Sequence, residues 1–135
     1  MGTIQITMNR QEVTGHDYGD TVQMRTPEDA LELMLRYELG YGGRVLDITE
    51  RSVVTQTRVL SKIDTTTFTG SPEDMALLLA GVHAWLEAER GVNMDNVISQ
   101  VLEIPGANRP LICRNLLGIF RGDAVTRRMS EDLRV

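Results

Sequence analysis

Four groups of residues carry side chains of the types that chemistry needs. The first is His16, Asp17 and Asp20, inside the stretch Thr14-Gly15-His16-Asp17-Tyr18-Gly19-Asp20. An imidazole beside carboxylates suits a divalent transition metal. The same stretch is rich in residues that favour turns for backbone reasons, and no second ligand cluster accompanies it. A hydrated turn is the better reading, and no metal is expected.

The second group is Gly40-Tyr41-Gly42-Gly43-Arg44. Successive backbone N–H groups with a guanidinium can cradle a phosphate. This loop, however, follows a helical stretch. The negative, C-terminal end of that helix would face the anion, which is the wrong polarity.

The third group pairs Cys113 with His83. A nucleophilic cysteine needs a nearby base and surroundings that favour thiolate. Cys113 lies between Ile112 and Arg114 in an apolar helical pattern. Buried, unreactive cysteine is common in such a place. His83 lies in an apolar helix and reads as a satisfied core or interface histidine.

The fourth group is Arg109, Arg114, Arg121, Arg127 and Arg128. Arg109, Arg114, Arg121 and Arg128 are the candidates for binding an anion or a partner. Arg114 and Arg121 share a face on a regular helix. Interleaved aromatics, which would stack single-stranded bases, are missing. A solvated face, or one that pairs with acidic surface, is the plainer explanation.

The chain lacks a P-loop, an H-E-x-x-H pair, paired cysteines, a G-x-S-x-G elbow and a G-x-G-x-x-G turn. No catalytic residue and no cofactor is assigned, and an enzyme with a dispersed site is the least favoured reading.

Charge narrows the partners. The net charge is -5. Residues 1–106 carry 16 acids and 8 bases, a balance of -8, whereas residues 107–135 carry 6 arginines and 3 acids, a balance of +3. The body repels nucleic acid and the C-terminal segment attracts anions. A lone cysteine excludes an intrachain disulfide and fits a reducing compartment. No apolar stretch approaches the ~20 residues of a membrane helix, and no secretion signal is evident. A cytoplasmic location without membrane association is expected.

The elements that must position these residues follow from pattern. Ile4, Ile6 and Met8 alternate with polar neighbours over 3–9, a half-buried strand. Thr21 to Arg25 alternates again, with Val22 and Met24 inward. Thr26-Pro27-Glu28-Asp29 and Ser71-Pro72-Glu73-Asp74 are two full helix starts: a hydroxyl cap, proline in the first turn and acids at the positive end. The first predicts a helix from Pro27 to Leu39, with Ala30, Leu31, Met34, Leu35 and Tyr37 as its stripe and Gly40 as its left-handed stop. Strands are expected over 44–49 and 52–64. The second start predicts a helix from Pro72 to Arg90, apolar nearly all round from Met75 to Leu86 apart from Gly81 and His83. A short helix capped by Asn93 or Asn96 should reach Leu102. A fourth should run from Asn108 to Arg121 with Leu111, Ile112, Leu116, Leu117 and Phe120 inward.

The order β-β-α-β-β-α-α-α favours a single α+β domain over 1–135: a small antiparallel sheet of about four strands against three to four helices. Residues 1–70 are mainly strands plus one helix, 71–122 are helical, and 123–135 form a polar tail. Helix 72–90 has more apolar surface than its own fold is expected to cover, which makes Met75, Leu78, Val82 and Trp85 the expected interface. The favoured function is a non-catalytic protein–protein interaction module, of the kind that phages and mobile elements use as an accessory or inhibitor, docking on a larger complex and oligomeric. The expected partner is a protein or a second copy of the chain. The alternative is a nucleic-acid binder using the arginine-rich C-terminal segment.

Overall fold

A computed structural model of the chain describes residues 3–12, 17–24, 26–89 and 91–121. Strands β1 (Ile4–Glu12), β2 (Asp17–Met24), β3 (Arg44–Thr49), β4 (Ser52–Val59) and β5 (Lys62–Thr69) form one antiparallel sheet in the order β2-β1-β5-β4-β3. Four helices pack with it: α1 (Pro27–Glu32), α2 (Pro72–Glu87), α3 (Met94–Glu103) and α4 (Arg109–Arg121). The class is α+β, with five strands where about four were expected.

The fifth strand comes from dividing the stretch read as one strand over 52–64. Val59 pairs with Lys62, so Leu60 and Ser61 form a two-residue turn. Leu60 takes the positive φ of 55° that such turns require. β5 therefore runs on to Thr69 and sits between β1 and β4, in the interior of the sheet.

Both helix starts form as the sequence dictates. The Thr26 hydroxyl accepts from Asp29 N and the Ser71 hydroxyl accepts from Asp74 N, with proline in the first turn of each helix. Asn93 caps α3 by accepting from Asp95 N at 2.9 Å. Helix α1 departs from expectation. After Glu32 it widens into a π-helical segment over Leu33–Glu38 and ends in a 3-10 turn at Leu39–Tyr41. The Leu39 N–H donates to Met34 O, and both of these residues are buried. Tyr37, expected on the apolar stripe, is instead turned out and stacks on Tyr41 at 6.3 Å. The left-handed stop falls on Gly42 (φ 82°), two residues later than the predicted Gly40.

The described helices lie on one face of the sheet. Ile4, Ile6, Val45, Ile48, Val53, Thr55, Thr66 and Phe68 are buried on that face. On the other face, Gln5, Asn9, Thr21, Gln23, Asp47 and Arg58 are exposed, and Thr65, Thr67 and Thr69 are half-buried. Antiparallel sheets tolerate such one-sided cover.

Helix α2 is the centre of the core. It packs against α1, α3, α4 and β4. Met75, Leu78 and Val82, expected at an interface, are 0% exposed within the single chain, and Trp85 is partly covered. The all-round apolar run is thus matched by elements of the same chain. Gly81 serves that packing, since a Cβ there would run into the Leu31 side chain. On α4, Leu116 is buried and Ile112, Leu117 and Phe120 pack against the core, but Leu111 is 54% exposed on the opposite side.

Candidate functional site

One cleft of about 310 Å³ gathers titratable groups from separate elements. It lies where the helix layer ends over β2, β1 and β5. Its walls are Met8, Asn9 and Arg10 from β1, Gly19 and Asp20 from β2, Asp64 and Thr66 from β5, and Glu38 from the π-helical segment.

Glu38 is placed from both sides. The Gly43 N–H donates to the Glu38 carbonyl at 3.1 Å, and a Cβ on Gly43 would collide with that carbonyl. The glycine loop after the helix thus fixes the Glu38 backbone. The Thr66 hydroxyl, itself buried, donates to Glu38 Oε1 at 3.0 Å. Burial pushes the Glu38 carboxyl above its ordinary range, the Asp64 charge adds to that rise, and the Thr66 hydrogen bond partly offsets it. The second carboxylate oxygen of Glu38 has no hydrogen-bond partner among the described residues.

Alternation along β1 and β5 puts Arg10 and Asp64 opposite each other on the helix-facing side. Arg10 donates through Nε to Asp64 Oδ1 at 2.8 Å and through a terminal nitrogen to Asp64 Oδ2 at 3.3 Å. This two-point fork uses both carboxylate oxygens. Asp20 accepts from the Thr21 backbone N–H at 2.9 Å and remains exposed. The cleft therefore holds one internally neutralised pair, one exposed carboxylate and one half-buried carboxylate with a free oxygen. Among the described residues no group of three or more His, Cys, Asp or Glu side chains is placed to hold a metal ion.

The residues singled out by sequence disperse. Asp20 reaches the cleft. His16 lies outside the described residues, and Asp17 is described only as backbone in β2. The Cys113 thiol is directed at the Ala76 carbonyl at 3.7 Å, and burial pushes its pKa up. His83 pairs instead with Glu87 at 3.3 Å. Arg44, at the end of the glycine loop, donates to Gln56 Oε1 at 2.6 Å. Arg109 begins α4 with its Nε buried and without a hydrogen-bond partner among the described residues, and Arg114 is exposed. Arg121 ends α4 in position only, while Arg127 and Arg128 lie outside the described residues. Glu38, Asp64 and Arg10 carry no local motif. A π-helical segment that ends on an acid is the one feature that marks Glu38, because such segments are frequent at functional sites.

Fold and cleft together define a two-layer α+β protein with an acid-lined recess at one end of its sheet. Compared with protein-family models, curated proteins and solved structures, the chain matches none of them. No helix among the described residues is long and apolar enough to cross a membrane.

Proposed function

We propose that the protein is a non-catalytic docking module whose cleft receives a basic side chain of a protein partner. One observation carries this reading: the half-buried Glu38 carboxylate, with one oxygen tied to Thr66, lines a cleft shared with Asp20. A cation entering there relieves the cost of a partly desolvated charge. Arg10 leaves room for that cation, because its guanidinium is committed to Asp64. The acidic balance of residues 1–106 attracts a basic partner from a distance.

The test is an amide NMR titration of the full chain with two capped tripeptides, Gly-Lys-Gly and Gly-norleucine-Gly. The lysine peptide should shift the amides of Asp20, Glu38 and Thr66 and saturate at roughly millimolar concentration, as expected of one partly solvated ion pair. Glu38→Gln should weaken it severalfold. Equal shifts from the norleucine peptide, or no shifts from either, would overturn the reading.

A further inference from the structure

A second feature lies at the same end of the sheet as the cleft. The β4–β5 turn carries Leu60, which is 96% exposed, the most exposed large apolar side chain among the described residues. Its φ of 55° places a bulky residue in a backbone region that glycine or asparagine enters more easily. Such an outlier at an exposed tip is a reason to look for a function. Arg58 and Lys62 flank the tip, both are exposed, and neither makes an ion pair with a described side chain. The turn is thus an apolar point between two cations that form no ion pair with a described side chain, on a chain whose first 106 residues are acidic in balance.

Cleft and tip are neighbours and complements. Lys62 precedes the cleft residue Asp64 by two positions on the same face of β5, about 7 Å along the strand. The cleft offers the apolar Met8 with Asp20 and Glu38, and the tip offers an apolar Leu60 with Lys62. Two complementary features side by side on one surface satisfy each other twice across a twofold axis, which closes the assembly at a dimer. Tyr37 and Tyr41, stacked and exposed on either side of Glu38 in the chain, add the aromatic surface that interfaces favour.

We propose that the partner is a second copy of this chain: the β4–β5 turn of each subunit enters the acid-lined cleft of the other, setting Leu60 against Met8 and Lys62 between Asp20 and Glu38. This rests on the reading of the cleft as a receptor for a basic side chain and names the occupant. Nucleic acid and anionic membrane surfaces fit the tip's cations but are repelled by the acidic body, whereas a second cleft meets those cations with the carboxylates of Asp20 and Glu38.

Sedimentation equilibrium of the full chain from about 10 µM to 1 mM tests the assignment, a range set by the small contact and the cost of association. The wild type should pass from monomer to dimer across it. Lys62→Glu and Asp20→Lys should each weaken association at least ~10-fold, with circular dichroism unchanged. Mixed in equal amounts, the two variants should associate again, because both junctions of the mixed dimer are then complementary. Leu60→Ser, on a fully exposed turn, should weaken association without touching the cleft. A monomeric wild type, variants that associate as it does, or a mixture that fails to recover would each overturn the proposal. If the wild type is monomeric while the lysine tripeptide still shifts Glu38 and Asp20, the docking reading stands and this occupant falls. If neither occurs, both fall.

Discussion

The Thr66 hydroxyl on β5 holds Glu38 Oε1 at 3.0 Å, joining the interior of the sheet to the last residue of the π-helical segment. This bond favours the charged carboxylate, yet burial and the nearby Asp64 charge outweigh it, and the pKa rises. Glu38 is therefore held at an energetic cost that the fold does not need for packing. A glutamine would accept the same bond without the charge.

The first prediction follows from that cost. In the unfolded chain Glu38 ionises near its ordinary value of 4.5, and in the folded chain it ionises at higher pH. Between those two values the folded state holds the extra proton, so stability falls as pH rises through the window and then levels off. Asp64, Asp20 and Arg10 also line the cleft and are unchanged in the variant. Urea midpoints of Glu38→Gln relative to wild type should climb from pH 4 to pH 8. A pH-independent difference would show that the burial cost of Glu38 is not expressed in stability.

The second prediction concerns Thr55, the cross-strand neighbour of Thr66 on the helix-facing side. Thr55 is 0% exposed and its Oγ1 has no hydrogen-bond partner among the described residues. Valine keeps the β-branched shape that suits a central strand and removes the unpaired hydroxyl. Thr55→Val should stabilise the fold by about 1 kcal/mol in denaturant unfolding. A loss of stability would show that the hydroxyl is satisfied in solution, for instance by a bound water.

What was legible in the chain was local chemistry. Thr26-Pro27 and Ser71-Pro72 fix two helix starts because caps and prolines act within one turn. The alternation of Ile4 and Ile6 fixes the inward face of β1 for the same reason. The β4–β5 turn was hidden because Leu60-Ser61 has none of the glycine, asparagine or aspartate that normally announces a two-residue hairpin. The π-helical widening after Glu32 has no sequence signal of its own. It surfaces only as Tyr37 turning outward and as Met34 and Leu39 both being buried. The apolar run of α2 gave no measure of how many neighbours would cover it, so Met75, Leu78 and Val82 read as spare surface. The cleft was the least legible feature. Asp20 was visible beside His16 and Asp17, but Arg10 and Asp64 meet it only through strand register, and Glu38 only through the seating of the π-helical segment on β5.

The third prediction tests the close crossing of α2 over α1. At Gly81 a Cβ would press into Leu31, with Met34 Cε at 3.3 Å and Leu35 Cδ1 at 3.5 Å. All three neighbours are buried and have little freedom to yield. Gly81→Val adds a branched side chain at the tightest point of the core and should cost about 2–3 kcal/mol. Gly81→Ala should cost less, because its better helix propensity returns about 1 kcal/mol. If valine is tolerated as well as alanine in thermal unfolding, the crossing is looser than the geometry indicates.

The fourth prediction separates two consequences of one residue. Leu60 is 96% exposed, so replacing it removes almost no packing from the folded subunit. Its positive φ costs a bulky side chain about 1–2 kcal/mol, a cost that asparagine largely avoids without the added chain entropy of glycine. At low micromolar concentration, where the proposed dimer should be dissociated, Leu60→Asn should therefore raise stability by about 1 kcal/mol. At millimolar concentration the same variant should associate less than the wild type, because the apolar point of the turn is gone. Stability and association must move in opposite directions. A variant less stable as a monomer would mean that Leu60 packs on its own subunit, and a variant that associates as well as the wild type would remove the turn from the interface.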